Sequence, residues 1–136
     1  MFDRPFAVEI ITPELTVLKV QAVSISAPGV QGGFQVLYGH APLLSTLGPG
    51  KVQVQEQGGP LHVYATGGGF LEVRDNHVIA MLDSAERVED IDVARARAAR
   101  DRAAERLRKR DAHLDMVRAE AALQRALNRL RCAGAV

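Results

Sequence analysis

Every proline in this chain, and eleven of its twelve glycines, lies within the first 69 residues; between Gly69 and Gly134 there is neither. Proline and glycine are the residues that most strongly interrupt regular structure. Two halves built on different rules follow. The front half is cut into short segments, and the rear half is free to run as long helices. A length of 136 residues accommodates a domain with an appendage, or two small domains.

In the front half the segments between breakers are rich in strand-forming residues. Phe6–Ile11, Leu15–Ser26, Gly33–Leu37, Lys51–Gln55, Leu61–Ala65, Phe70–Val73 and His77–Leu82 all read as strands. Alternation marks a buried face at Val52/Val54 and at Leu61/Val63/Ala65. The breakers are Thr12-Pro13, Pro28-Gly29, Gly48-Pro49-Gly50, Gly58-Gly59, Gly67-Gly68-Gly69 and Asp75-Asn76. Gly58-Gly59 and Asp75-Asn76 suit tight hairpin turns that need positive φ. Many short strands with no helix among them predict an antiparallel sandwich or flattened barrel. With aromatics at 4% and no Trp, its core must be aliphatic.

In the rear half Asp90 is placed to cap a helix, with Asp92 in its first turn, where the helix dipole favours a carboxylate. Val93, Ala96, Ala99, Ala103 and Leu107 form one stripe at helical spacing; Leu114, Val117, Ala121, Leu127 and Leu130 suggest a second. A seam of alanines lets two helices approach closely but buries little area per residue. No breaker marks the turn near 110–113, so the half permits either a hairpin or one nearly continuous helix, which suggests a switch. The reading is an α+β chain: an N-terminal antiparallel β-sandwich over 1–84, then a C-terminal two-helix hairpin over 88–133.

Charge divides along the same line. Residues 1–83 carry four Lys/Arg against seven Asp/Glu, whereas Arg95 to Arg131 carry twelve basic residues, all but one of them Arg, against five acidic. A basic rear half implies an anionic partner: nucleic acid, an acidic protein surface or nucleotide phosphates. A nucleic-acid module would use these helices, although no aromatics stand among them to stack bases. Enzyme classes fare worse. Gly50-Lys51 lacks an upstream glycine at Ser45, so there is no phosphate-binding P-loop. His40, His62, His77 and His113 stand apart from one another and from Cys132, which predicts no metal site. No nucleophile signature appears, and Gly67–Gly69 reads as a turn. A single cysteine fits a reducing compartment, no apolar run reaches bilayer length, and MFDRPFAVEI does not read as a secretory leader.

Three segments carry a family resemblance. GGFQVLYGHAPLLSTLGPGKV, at Gly32–Val52, is similar to the G-E-[FL]-G-[VI]-x-P-G-H-A-P-L-[LV] signature of the ATP synthase epsilon chain family. YATGGGF, at Tyr64–Phe70, resembles that family's Y-A-V-S-G-G-F strand turn, and the stretches at 85–107 and 118–130 resemble its two C-terminal helices. The resemblance runs collinearly over nearly the whole chain. It implies a non-catalytic central-stalk subunit that couples rotation of a membrane ring to a catalytic head and restrains ATP hydrolysis through its C-terminal helices. The implied partners are the gamma subunit, the ring of c subunits and the alpha and beta subunits, on the cytoplasmic face of the inner membrane.

The resemblance also implies sites. His40, with Gly39 and Ala41, falls in the loop that faces the rotor ring. Here the chain departs from the pattern, with Gly33 in place of the acidic residue, Gln35 in place of the second glycine and Tyr38 in place of the proline. Ile91, Asp92, Arg95 and Ala96 resemble the I-D-x-x-R-A motif with which some relatives bind ATP, and Glu86 and Arg129 match further residues implicated there. Arg95 and Arg102 are seven apart on one helix face; Arg125 and Arg129 are four apart on the other. In a hairpin these guanidiniums would converge, and a triphosphate would relieve their repulsion. No cofactor is required; ATP is a regulatory ligand. The plainer reading of Asp92 and Arg95 is an exposed ion pair at a helix start. Arg100, Arg106, Arg108 and Arg110 suit an acidic segment of the beta subunits.

Overall fold

The computed structural model describes residues 4–109 and 115–135. Nine strands come first: β1 Phe6–Ile11, β2 Thr16–Ala27, β3 Phe34–Val36, β4 Leu43–Leu47, β5 Gly50–Glu56, β6 Leu61–Thr66, β7 Gly69–Arg74, β8 His77–Leu82 and β9 Glu86–Arg87. A single 3-10 turn, Val88–Asp90, leads to helices α1, Val93–Lys109, and α2, Met116–Cys132. The chain divides into two compact units, one ending at Arg87 and the other beginning at Val88. The sheet thus runs past residue 84, because Glu86 and Arg87 pair with Ala65 and Tyr64 as its last strand.

The strands follow the order β4-β7-β8-β1-β2-β5-β6-β9, with β3 on β2. Neighbours run antiparallel except β1 and β8, which are parallel. The twelve-residue β2 serves both layers. Its first part pairs with β1, its second with β3 and β5, and the register shifts between Ala22 and Ser24. A bulge of that kind lets one strand bend from one layer into the other. The edge strand β4 is tied back to the connection after β2, where Val30 N donates to Thr46 O (3.0 Å) and Gly48 N to Pro28 O (2.8 Å). Between the layers lie Val8, Ile10, Ile25, Val52, Val54, Leu71, Val78 and Ala80, all fully buried, with the aromatics Phe6 and Tyr64 among them. The core is aliphatic, as expected.

Two strands escaped the sequence reading. β4 hides behind Pro42 and carries Ser45 and Thr46, and β9 is two residues long. Against β5 the phase of β6 is also opposite to that expected, although Ala65 of the expected row is itself buried. Val52 and Val54 of β5 face Tyr64 and His62, and residues directly opposite across a ladder share a face. Leu61 is therefore 52% exposed while Tyr64 is 1% exposed. The tyrosine ring removes more apolar area from water than the leucine would, and it sets the register. Asp75 and Asn76 have φ of 50° and 57°, the double positive φ of a type I′ turn. Gly58 alone is positive in the other hairpin, whose connection is Gln57–Pro60 rather than a two-residue turn.

In the second unit the cap of α1 is Asp92, not Asp90: its Oδ1 accepts from Arg95 N at 3.0 Å, whereas Asp90 closes the 3-10 turn. Asp115 caps α2 likewise, accepting from Arg118 N at 3.1 Å. The α1 stripe is as expected, centred on buried Ala96 and Ala103. That of α2 is as expected at Leu130 but displaced elsewhere. Val117 is 76% exposed, and the buried residues are Ala119, Ala126, Asn128 and Leu130. The shift puts alanines seven apart on α2 against alanines seven apart on α1, so the backbones can approach. The expected turn at 110–113, with Arg110, His113 and Leu114, lies outside the described residues.

Gly69 tests how tightly the sheet is held. It has φ +147°, and a Cβ there would stand 2.1 Å from Met81 O. Gly69→Ala is expected to cost roughly 3 kcal/mol or more in chemical denaturation. Gly33→Ala, whose Cβ would meet only Ala27 O at 3.7 Å, is expected to stay within about 0.5 kcal/mol of the parent.

Candidate functional site

The loop that carries His40 is built as a turn. His40 N donates to Leu37 O at 3.2 Å, and Gly39 has φ +79°. A positive φ at the third position alone marks a type II turn, which favours proline at the second. Tyr38 occupies that second position, where the resembling family has proline. The preorganisation that proline would supply is replaced by contacts from two distant segments. The Arg4 guanidinium lies 4.1 Å from the centroid of the Tyr38 ring, a cation–π distance. The Asn76 side chain, from the β7–β8 turn, accepts from Gly39 N at 2.7 Å. His40 Nδ1 stands 2.7 Å from Ala41 O. A carbonyl only accepts, so in this contact Nδ1 carries the proton and Nε2 does not. Gly39 and Ala41 are exposed, and His40 is half-buried.

The arginine group lies in the second unit. Ala96 is buried in the helix seam, and Ile91, just ahead of α1, is also buried. Arg95 and Arg102 each sit one residue before a buried alanine, Ala96 and Ala103; Arg125 and Arg129 each sit one residue before Ala126 and Leu130. One residue is about 100° of helix rotation. In an antiparallel hairpin the same offset on both helices falls on the same side of the seam. Arg95, Arg102, Arg125 and Arg129 therefore share one face. All four are exposed. The Asp92 carboxylate meets the backbone of Arg95, not its guanidinium, so the simple ion-pair reading of these two does not hold. Glu86 belongs to the other unit, as part of β9.

Other arginines of α1 are engaged locally. Arg100 pairs with Asp101 at 3.0 Å, Arg108 pairs with Glu105, and Lys109 reaches the same Glu105 at 3.8 Å. Exposed pairs of this kind contribute little stability. Among the described residues no group of three or more His, Cys, Asp or Glu is placed to hold a metal ion. His62 bonds Glu56 and His77 bonds Glu9 on separate parts of the sandwich. The anchors Arg4 and Asn76 were not legible in the sequence; Asn76 shows there only as a turn residue, 37 positions from the amide it holds.

The chain matches two family models end to end: the β-sandwich domain of the ATP synthase delta/epsilon chain over residues 5–88, and the long α-helix domain of the same chain over 89–134. It is 50% identical over 128 residues to the ATP synthase epsilon chain of Moorella thermoacetica, covering 94% of this chain and 96% of the relative. It is 48% identical over 110 residues to that of Pelotomaculum thermopropionicum, covering 81% of each. Over 99 residues it is 52% identical to that of Anaeromyxobacter sp. (strain K), covering 73% and 74%. The fold is shared with a chain of the Euglena gracilis mitochondrial ATP synthase (TM-score 0.81, 24% identity, 91% of this chain and 78% of that one). It is shared too with a chain of the Tetrahymena thermophila central stalk and c-ring structure (TM-score 0.61, 15% identity, 94% and 92%).

If Asn76 anchors the His40 loop, Asn76→Gly keeps the positive-φ turn and removes only the side-chain acceptor. The expected result is a loss of about 1 kcal/mol in unfolding free energy with faster amide hydrogen exchange at Gly39. Unchanged exchange there would show that the loop holds itself.

Proposed function

The chain belongs to the ATP synthase delta/epsilon chain family, and from that membership we propose that it is a non-catalytic central-stalk subunit with two tasks divided between its two units. The sandwich holds the gamma subunit and presents the His40 loop to the membrane ring of c subunits, so that torque passes between the ring and the catalytic head of alpha and beta subunits. The helices restrain ATP hydrolysis when extended and release it when folded. ATP, bound by the exposed Arg95, Arg102, Arg125 and Arg129 with Asp92 beside them, favours the folded form. The chain acts on the cytoplasmic face of the inner membrane as a peripheral component. Among the described residues no helix is long and apolar enough to cross a membrane.

The observation that carries the regulatory part is the combination of an alanine seam with arginines sharing one face of it. Each buried alanine methyl contributes on the order of 1 kcal/mol, against about 1.5–3 for a leucine side chain. A seam centred on Ala96, Ala103, Ala119 and Ala126 is held weakly enough to be opened by a partner. Like charges along it oppose closure until an anion neutralises them. ATP shifts the balance only as far as it binds the folded form more tightly than the extended one. The nucleic-acid alternative finds no support in the family.

Two measurements test this reading. An ATP synthase reconstituted with the chain ended after Arg87 is expected to hydrolyse ATP several-fold faster than one with the full chain; equal rates would remove the brake from the assignment. Calorimetric titration of the isolated chain with ATP is expected to show one-to-one binding, weakened about tenfold by Arg129→Ala, the loss of one charge-assisted contact. No heat at millimolar ATP would confine the arginine face to protein contacts.

A further inference from the structure

Where β2, β3 and β5 end together, the outer surface of the sandwich holds an open depression of about 490 Å3. Ser26 faces Gln35 across β2 and β3 and Gln53 across β2 and β5, so the Ser26 hydroxyl and the Gln35 amide lie on one face. Lys51 lines the same depression, with Pro28, Gly33 and Phe34 as its apolar part. No hydrogen bond or ion pair joins the side chains of Ser26, Gln35 or Lys51 to any described residue. Elsewhere in this unit Arg4 lies over Tyr38 and Lys19 pairs with Glu9 at 3.7 Å. Gly33, which brings no side chain, lines the hollow. Gly33 needs no left-handed backbone, and a Cβ there would meet nothing nearer than Ala27 O at 3.7 Å. The resembling family has an acidic residue at that position.

We propose that this depression receives the carboxylate of an acidic side chain from a partner subunit of the assembled synthase, an inference that rests on the central-stalk reading above. An ammonium, a hydroxyl and a carboxamide supply donors of the kind that two carboxylate oxygens accept. The apolar walls of Phe34 and Pro28 suit the methylene stem of an Asp or Glu. One cation at an open rim is too little charge to hold a free polyanion. Where the resembling family carries its own carboxylate, this chain carries the cation that pairs with someone else's.

Carbodiimide converts an amine and a carboxylate in direct contact into an amide, which makes it the probe. In the purified synthase containing this chain, the expected product is a crosslink from Lys51 to an Asp or Glu of another subunit. Lys51→Arg keeps the charge and should lose the crosslink while leaving assembly intact. Lys51→Glu should weaken retention of the chain in the complex roughly tenfold. Gly33→Glu should redirect the crosslink to within the chain and weaken retention similarly, with circular dichroism of each variant unchanged. Assembly with Lys51 unlinked, or linked only within its own chain, would overturn this inference and leave the central-stalk reading standing. A chain that joins no ATP synthase at all would overturn both.

Discussion

The first unit depends on β2. Twelve residues long, it is the strand against which β1, β3 and β5 are all laid, and its register shift at Ala22–Ser24 turns a single ladder into two layers. Without that bulge the strand would continue straight, and the inward rows on either side would face away from each other. Gly50 has room for no side chain because the Pro28 ring would lie 2.6 Å from its Cβ, and Gly68 none because Leu47 O would lie at 2.6 Å. The glycines that break the front half into strands are thus also what lets the ends of neighbouring strands, β2 with β5 and β4 with β7, approach closely.

The second unit follows the opposite logic. Its stability rests on small side chains in a seam rather than on interdigitated large ones. Leu130, fully buried at one end of α2, is the large apolar exception. Local signals supply much of the rest, with Asp92 and Asp115 capping the two helices and basic residues in the last turns of both, where the helix dipole favours them. Helices that are well determined one by one, but weakly joined, are suited to change partners without unfolding.

How much of this was legible in the sequence depended on the range of the interaction that decides each feature. Strands bounded by breakers were readable, and β1 and β8 lie where runs of strand-forming residues placed them, because such runs are a local mark. β4 and β9 left none: Ser45 and Thr46 interrupt the first, and Glu86–Arg87 is too short to alternate. The phase of β6 was misread because Leu61, Val63 and Ala65 compete with Tyr64, and only the partner strand shows which row wins. On α2 the same ambiguity arose between Val117 and Ala119. A helix carrying alanines on several sides has no unique apolar stripe, and the seam is chosen by what α1 can accommodate. At the candidate sites the motif residues were visible, but the face shared by Arg95 and Arg129 needs both helix phases, and the Arg4 and Asn76 anchors join residues far apart in sequence.

The departures at Tyr38 and Gly33 differ in where their compensation lies. Proline at position 38 would preset the second residue of the turn; tyrosine does not, but its ring gives Arg4 a face to lie on, and the guanidinium holds from outside what proline would hold from within. That substitution closes on itself inside the chain. Replacing an acid by Gly33 does not. It removes a charge and a side-chain volume together, and the residues around the vacancy, Ser26, Gln35 and Lys51, have no described partners to absorb the change. Lys51 is exposed, so water satisfies its ammonium until a complementary carboxylate replaces that water. The complement proposed for it is a carboxylate on a partner, so the charge balance at this contact is a property of the pair rather than of either chain alone.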